Sequence, residues 1–159
     1  MPRIEISIPE QRLALIENGR EVRRYAVSTS RNGPGELQGS FCTPRGGHIV
    51  RAKIGAGQSV NTIFVRRRPI GEIWTPELGE RLPGRDWILT RILWLSGCER
   101  GRNRLGEVDT MRRYIYIHGS PDTLEMGKPG SIGCIRMRNA DILELFDSVA
   151  PYTPVEISG

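Results

Sequence analysis

Apolar residues fall at every second position through the amino-terminal stretch: Ile4, Ile6 and Ile8 alternate with polar neighbours, and after Pro9-Glu10 the pattern resumes at Leu13 and Leu15. Successive side chains of a strand point to opposite faces, so this period gives one apolar face to a strand and none to a helix. Asn18-Gly19, a hairpin turn signal, then stands before "REVRRYAVS", and the opening reads as a meander of antiparallel hairpins. Strand composition returns in "IVRAKI", "VNTIFV", "WILTRILWL", "RYIYIH" and "PVEIS". Two segments between them are rich in turn formers. One is "STSRNGPGELQGSFCTPRGGH"; the other, Arg66 to Arg85, contains Pro69, Pro76 and Pro83 and reads as an extended loop or lid, with the stretch from Pro69 to Pro83 the part that could cover a site. The one clear helix is "NADILELFDSVA", with Asn139 as its expected N-cap, Asp141 in its first turn, an apolar stripe at Ile142, Leu145, Phe146 and Val149, and Pro151 past its end. The expected fold class is mainly β, a sandwich or partly closed barrel with one helix, in a single domain over residues 1–159 with no internal repeat.

The apolar run "WILTRILWL" is broken by Thr90 and Arg91 and is far shorter than the roughly 20 residues of a membrane-spanning helix, so no membrane span is expected. The amino terminus alternates where a secretory signal would be continuously apolar. That makes the cytoplasm the expected location, with the periplasm or cell wall the alternative for a trimmed mature chain. Cys42, Cys98 and Cys134 are odd in number and form no C-x-x-C pair, so free thiols are expected, with no disulfide, no metal site and no cofactor. All of the 23 basic residues except Lys53 and Lys128 are arginine, and the net charge is +5. The arginine fork suits carboxylate or phosphate, which permits an anionic partner. Nucleic acid is not expected to be that partner: the clusters at Arg66 to Arg68 and Arg100 to Arg104 lack interleaved aromatics, carry no nucleic-acid-binding signature, and read as solvated loops.

Chemistry concentrates in "YIHGSPDTLEMGKPGSIGCIRM", Tyr116 to Met137. A cysteine acts as a nucleophile only as thiolate and needs a base to become one near neutral pH; histidine is the usual base. His118 stands at the expected end of a strand, and Cys134 follows about 15 residues later behind "GSIG". Gly130 and Gly133 allow backbone conformations in which peptide N–H groups face a substrate oxygen. Taken singly, such a histidine is a hydrogen-bonded structural residue and such a cysteine a small buried hydrophobe. The glycine frame is what joins these two, whereas Cys42, Cys98 and His48 lack it and read as structural.

The segment His118-Gly119 followed by "SIGCIRM" closely resembles the signature of the L,D-transpeptidase (YkuD-type) catalytic domain, a histidine and then Ser/Thr-x-Gly-Cys-Ile/Val-Arg. "QRLALIENGREVRRYAVSTS" resembles that family's opening hairpin and "GSFCTPRGG" its Thr-Pro-x-Gly loop, so the likeness covers nearly the whole chain. One departure is Ile132, where many members have His. The resemblance implies a YkuD-like β-sandwich with one principal helix packed against it. It implies Cys134 as nucleophile, His118 as base and then acid, and the Gly119 carbonyl as the group that orients the imidazole. It further implies an oxyanion site around Gly133 and Cys134, loop support from Ser131, and Arg136 as a brace or a ligand for a substrate carboxylate. The implied substrate is a peptidoglycan tetrapeptide stem or muropeptide, attacked at the meso-diaminopimelate–D-Ala bond. The thioester could then pass to water, giving L,D-carboxypeptidase activity in peptidoglycan recycling, or to an amine, giving crosslinks or protein anchoring. The expected location favours water.

Overall fold

In the computed structural model, which describes residues 1–159, the alternating amino terminus becomes β1 (Pro2–Ser7), β2 (Arg12–Glu17) and β3 (Arg20–Ala26). Asn18 and Gly19 take φ of 51° and 76°, the left-handed pair that a two-residue hairpin requires, and the three strands pair antiparallel as the pattern implies. β4 (Gly46–Ile54), β5 (Thr62–Val65), β6 (Arg68–Ile73), the short helix α1 (Pro76–Arg81), β7 (Leu89–Gly97), β8 (Tyr116–Ser120), β9 (Ile135–Arg138), α2 (Asn139–Ser148) and β10 (Pro154–Ser158) complete the fold. All ten strands belong to one sheet, ordered β3-β2-β1-β10-β4-β7-β5-β6, with β8 added to β7 and β9 to β8. The sheet branches at β7. Two pairings are parallel, β1 with β10 and β8 with β9. The first brings the two chain ends together; the second builds the site.

The sheet curls so that β1, β2, β4, β7, β8, β9 and β10 put side chains into one core with α2. Ile4, Ile6, Leu13, Leu93, Ile117, Ile135 and Met137 meet there with Ile142 and Leu145, the expected stripe of α2, which packs on β7, β8 and β9. No helix is long and apolar enough to cross a membrane.

Three local expectations change. Arg66 to Arg85 is not an extended loop: Arg68–Ile73 pairs with β5 as a hairpin, and Pro76–Arg81 is helical. Thr75 caps α1, its Oγ1 accepting from the Leu78 N–H at 3.2 Å, with Pro76 in the first turn. Beneath this segment Trp74 and Trp87 bury themselves with Ile63 and Leu89, which gives an otherwise polar stretch a core of its own. Asn139 is not the N-cap of α2. Arg138 holds that position without a capping side chain, and Asn139 is the first helical residue with its amide turned to buried partners. His118 is the middle residue of β8, not its end.

Candidate active site

Strand alternation sorts the residues of β8 and β9 by face. Ile117 stands opposite Ile135, and both enter the main core together with Met137. Tyr116 and His118 in β8, and Arg136 in β9 with Cys134 in the residue just before that strand, therefore share the other face. Parallel pairing of two strands thus converts a separation of about 15 residues into adjacency.

The His118 ring is fully buried, and its Nδ1 lies 2.6 Å from the Gly119 carbonyl oxygen. A carbonyl only accepts, so Nδ1 carries the proton and Nε2 presents a lone pair. Nε2 has no hydrogen-bond partner in the protein. Burial pushes the imidazole pKa below its ordinary value, with Asp86 and the Gly119 carbonyl opposing and Arg136 reinforcing the shift. The ring is neutral at neutral pH, with the Nε2 lone pair unpartnered.

Cys134 is buried among Phe64, Ile92 and Tyr116. Its Sγ accepts from the Tyr116 N–H at 3.3 Å and lies 3.4 Å from the Tyr114 carbonyl, to which the S–H donates. Burial is the main reason its pKa is pushed up to about 12; Asp86 adds to the rise, while the Tyr116 N–H, Arg136 and Arg113 oppose it. No hydrogen bond joins the thiol to His118 in this resting arrangement. The pair is neutral on both sides, with the thiol turned to the Tyr114 carbonyl and Nε2 unpartnered.

The loop before Cys134 is held from both sides. Gly130 and Ser131 donate backbone N–H groups to the Thr29 carbonyl at 2.9 Å each. Ser131 Oγ donates to the Cys134 carbonyl at 2.6 Å and accepts from the Gly133 N–H at 3.2 Å. Thr43, from the Thr-Pro loop, donates its Oγ1 to the Gly133 carbonyl at 2.9 Å. Gly133 has φ of 134°, a region closed to other residues, and a Cβ there would press on Ile115 at 3.2 Å. Ser131 thus makes two hydrogen bonds within the loop. It also occupies the Gly133 N–H, whereas the Cys134 N–H has no acceptor within the protein.

Arg136 donates Nη2 to Asp86 at 2.6 Å and Nη1 to the Gly130 carbonyl at 3.0 Å. Both side chains of the ion pair are mostly buried, at 13 and 22 % exposed, and the pair ties the segment after α1 to the catalytic strand. A cavity of about 400 Å³ opens beside Cys134, with Ile132, Asp86, Arg66, Arg67 and Arg113 on its walls. A second hollow of about 520 Å³ reaches Arg136, walled by Trp74, Pro76, Leu82 and Trp87, so the Pro69 to Pro83 region flanks the site.

Part of the arginine cluster expected to be a solvated loop is a wall of the site. Arg67 lies over Trp94 and Tyr114 at 4.9 and 4.7 Å from the ring centroids and donates to the Tyr116 hydroxyl at 3.0 Å. The aromatics absent from its neighbourhood in sequence come from β7 and the approach to β8. Sequence reasoning also missed Asp86, Arg113 and the Tyr116 N–H. Only Arg67 had a local signal, its place in a basic run. His48 is a satisfied core histidine, and the three cysteines are free, with Cys98 exposed.

A model of the YkuD L,D-transpeptidase catalytic domain matches residues 1–157. No curated protein matches the chain. Among solved structures, an L,D-transpeptidase from Xylanimonas cellulosilytica is 22 % identical with a TM-score of 0.56, over 99 % of this chain and 60 % of that one. L,D-transpeptidase 3 from Mycobacterium tuberculosis, solved with a faropenem-derived adduct, is 17 % identical with a TM-score of 0.60, over 99 % and 61 %. An L,D-transpeptidase mutant from Enterococcus faecium is 16 % identical with a TM-score of 0.59, over 99 % and 49 %. The chain therefore spans about half to three fifths of the length of these proteins and shares their fold. With the family's domain model matched from the first residue almost to the last, the chain belongs to the YkuD L,D-transpeptidase catalytic domain family.

Proposed function

We propose that the protein is a cysteine acyl-transfer enzyme that cleaves the meso-diaminopimelate–D-Ala bond of peptidoglycan tetrapeptide stems and passes the acyl group to water. The observation that carries this reading is His118 Nε2, a buried lone pair with no partner on the face it shares with Cys134, its ring fixed by Gly119. When the substrate carbonyl enters, Nε2 takes the thiol proton and Sγ attacks the carbonyl carbon. The Tyr116 N–H already donates to that sulfur and so favours the thiolate as it forms. The Cys134 N–H meets the oxyanion. His118 then returns the proton to the departing D-Ala amine, and a thioester remains. Water attacks next with His118 again as base, and the thiol is regenerated as the tripeptide acid leaves.

Arg136, committed to Asp86 and Gly130, fits a bracing role better than a binding one. Arg66, exposed at the cavity without an acid partner, is the cation open to a stem carboxylate. Charge also supports water as acceptor. An acceptor amine arrives as ammonium, and the cavity wall carries Arg66, Arg67 and Arg113 against one carboxylate, Asp86, already paired with Arg136. The proposal sets the reaction on soluble fragments in the cytoplasm, which cell fractionation checks. The chemical test is incubation with disaccharide tetrapeptide in ¹⁸O-labelled water followed by mass spectrometry. Loss of D-Ala with label in the new carboxyl is expected. Crosslinked dimers without label would overturn water as acceptor and leave a transpeptidase.

A further inference from the structure

The imidazole of His118 makes one hydrogen bond, to the Gly119 carbonyl, so whatever fixes that peptide fixes the ring. Gly119 is packed without room for a side chain. A Cβ there would lie 2.6 Å from Asn139 Oδ1, 2.6 Å from the Leu89 carbonyl oxygen and 3.0 Å from Thr90 Cβ. Asn139 is 2 % exposed and fully engaged: Oδ1 accepts from Thr90 Oγ1 at 2.6 Å, and Nδ2 donates to Asn61 Oδ1 at 2.8 Å and Asp122 Oδ1 at 3.4 Å. Thr90 Oγ1 also accepts from the Asn61 N–H at 3.0 Å. Two segments, Leu89-Thr90 and Asn139, therefore pack on the peptide whose carbonyl meets His118, and two more, Asn61 and Asp122, hold Asn139 from behind.

Thr90 itself has φ of 76°. For a β-branched residue this is a strained conformation, costing about 1–3 kcal/mol, of the kind held only where the surroundings enforce it. It lies in the irregularity of β7 that lets Leu89 face Gly119 and Ile92 face His118, a bulge opposite the two residues in question. Asn139 caps nothing, and the hydrogen bonds of its buried amide all lie within this network.

We propose that Asn139 and Thr90 are positioning residues that hold the Gly119 peptide, and through it the orientation and tautomer of His118. The inference rests on His118 being the base of the proposed reaction. If Thr90 Oγ1 is lost, Asn139 Oδ1 loses its donor, the contact on Gly119 relaxes, and the ring can turn or exchange its proton between nitrogens.

The test compares Thr90→Val, which keeps shape and branching but lacks the hydroxyl, with Thr90→Ser, which keeps the hydroxyl, and with Asn139→Ala. The chain has two histidines, so ¹⁵N spectra report the His118 tautomer directly, with His48 as internal control. The expected result is a mixed His118 tautomer in Thr90→Val and Asn139→Ala with an unchanged His48 signal. Acylation kcat for the tetrapeptide is expected to fall roughly ten- to hundredfold at near-constant KM, and Thr90→Ser is expected to restore most of it. Folded Thr90→Val with wild-type tautomer and kcat would overturn the proposal, even if Asn139→Ala fails to fold. His118→Ala separates the two layers: unchanged acylation in that variant removes the base assignment itself, whereas a large loss there beside a wild-type Thr90→Val removes only the positioning.

Discussion

The two histidines of this chain are buried to nearly the same degree, and both fix Nδ1 on a backbone carbonyl, His48 on Gly46 at 2.9 Å and His118 on Gly119 at 2.6 Å. Burial lowers both pKa values, that of His48 to about 4. They differ at the other nitrogen. His48 Nε2 meets Thr110 Oγ1 at 2.9 Å, while His118 Nε2 meets nothing. A buried polar atom without a partner costs about 1–3 kcal/mol. Folding closes that account at His48 and leaves it open at His118, beside a thiol with a proton to give. His118 is thus set apart from His48 by the bond it lacks, not by its depth or its perturbed pKa.

The largest expected difference comes from truncating each ring. His118→Ala should slow acylation by about 10² to 10⁴, the usual worth of general-base assistance, while its one lost hydrogen bond, to Gly119, should cost less stability than the two lost at His48. His48→Ala should do the reverse, losing about 1–3 kcal/mol from its two broken hydrogen bonds with kcat near wild type. Rapid-mixing kinetics and urea unfolding on both variants decide it, and an equal loss of rate in folded His48→Ala would erase the contrast. A smaller effect is expected at Gly119→Ala. The new methyl meets Asn139 Oδ1 and the Leu89 carbonyl at 2.6 Å, so overpacking should cost about 1–3 kcal/mol and displace the carbonyl that orients His118. Wild-type stability and rate in that variant would show the contacts to be soft.

The smallest effect is on acid stability. The unfolded chain protonates both histidines near 6.5, whereas the folded chain resists. Their contribution is therefore fully present above pH 6.5 and is lost as pH falls, for His48 down to about 4. His48→Gln should flatten part of this slope and leave the part due to His118. An unaltered slope would remove burial as the cause of the His48 shift.

What the sequence made legible was local. The alternation at Ile4, Ile6 and Ile8, the Asn18-Gly19 turn and the stripe of α2 each state their structure within a few residues, and the glycine frame marks Cys134. The resemblance to the family supplied Gly119 as the orienting carbonyl, and the Gly119 oxygen lies 2.6 Å from His118 Nδ1. What stayed hidden depends on distant partners. Arg67 reads as solvated until β7 and Tyr114 bring it rings, and Asp86 gains its role from Arg136 fifty residues on. Asn139 is a good capping residue by type, but Thr90 and Asn61 take its amide first. The hairpin and α1 within Arg66 to Arg85 form another kind of miss. Thr75-Pro76 is a sound helix start, outweighed by proline and glycine content because the burial of Trp74 and Trp87 is not visible locally.

The central claim is that Cys134, and neither Cys42 nor Cys98, carries the acyl group. Protein mixed with disaccharide tetrapeptide, quenched in acid within the first turnover and mapped by peptide mass spectrometry, should show the substrate less D-Ala attached at Cys134, with Cys42 and Cys98 unmodified. Cys134→Ala should show no adduct and release no D-Ala. An adduct on Cys42 or Cys98, or D-Ala release by folded Cys134→Ala, would contradict the account.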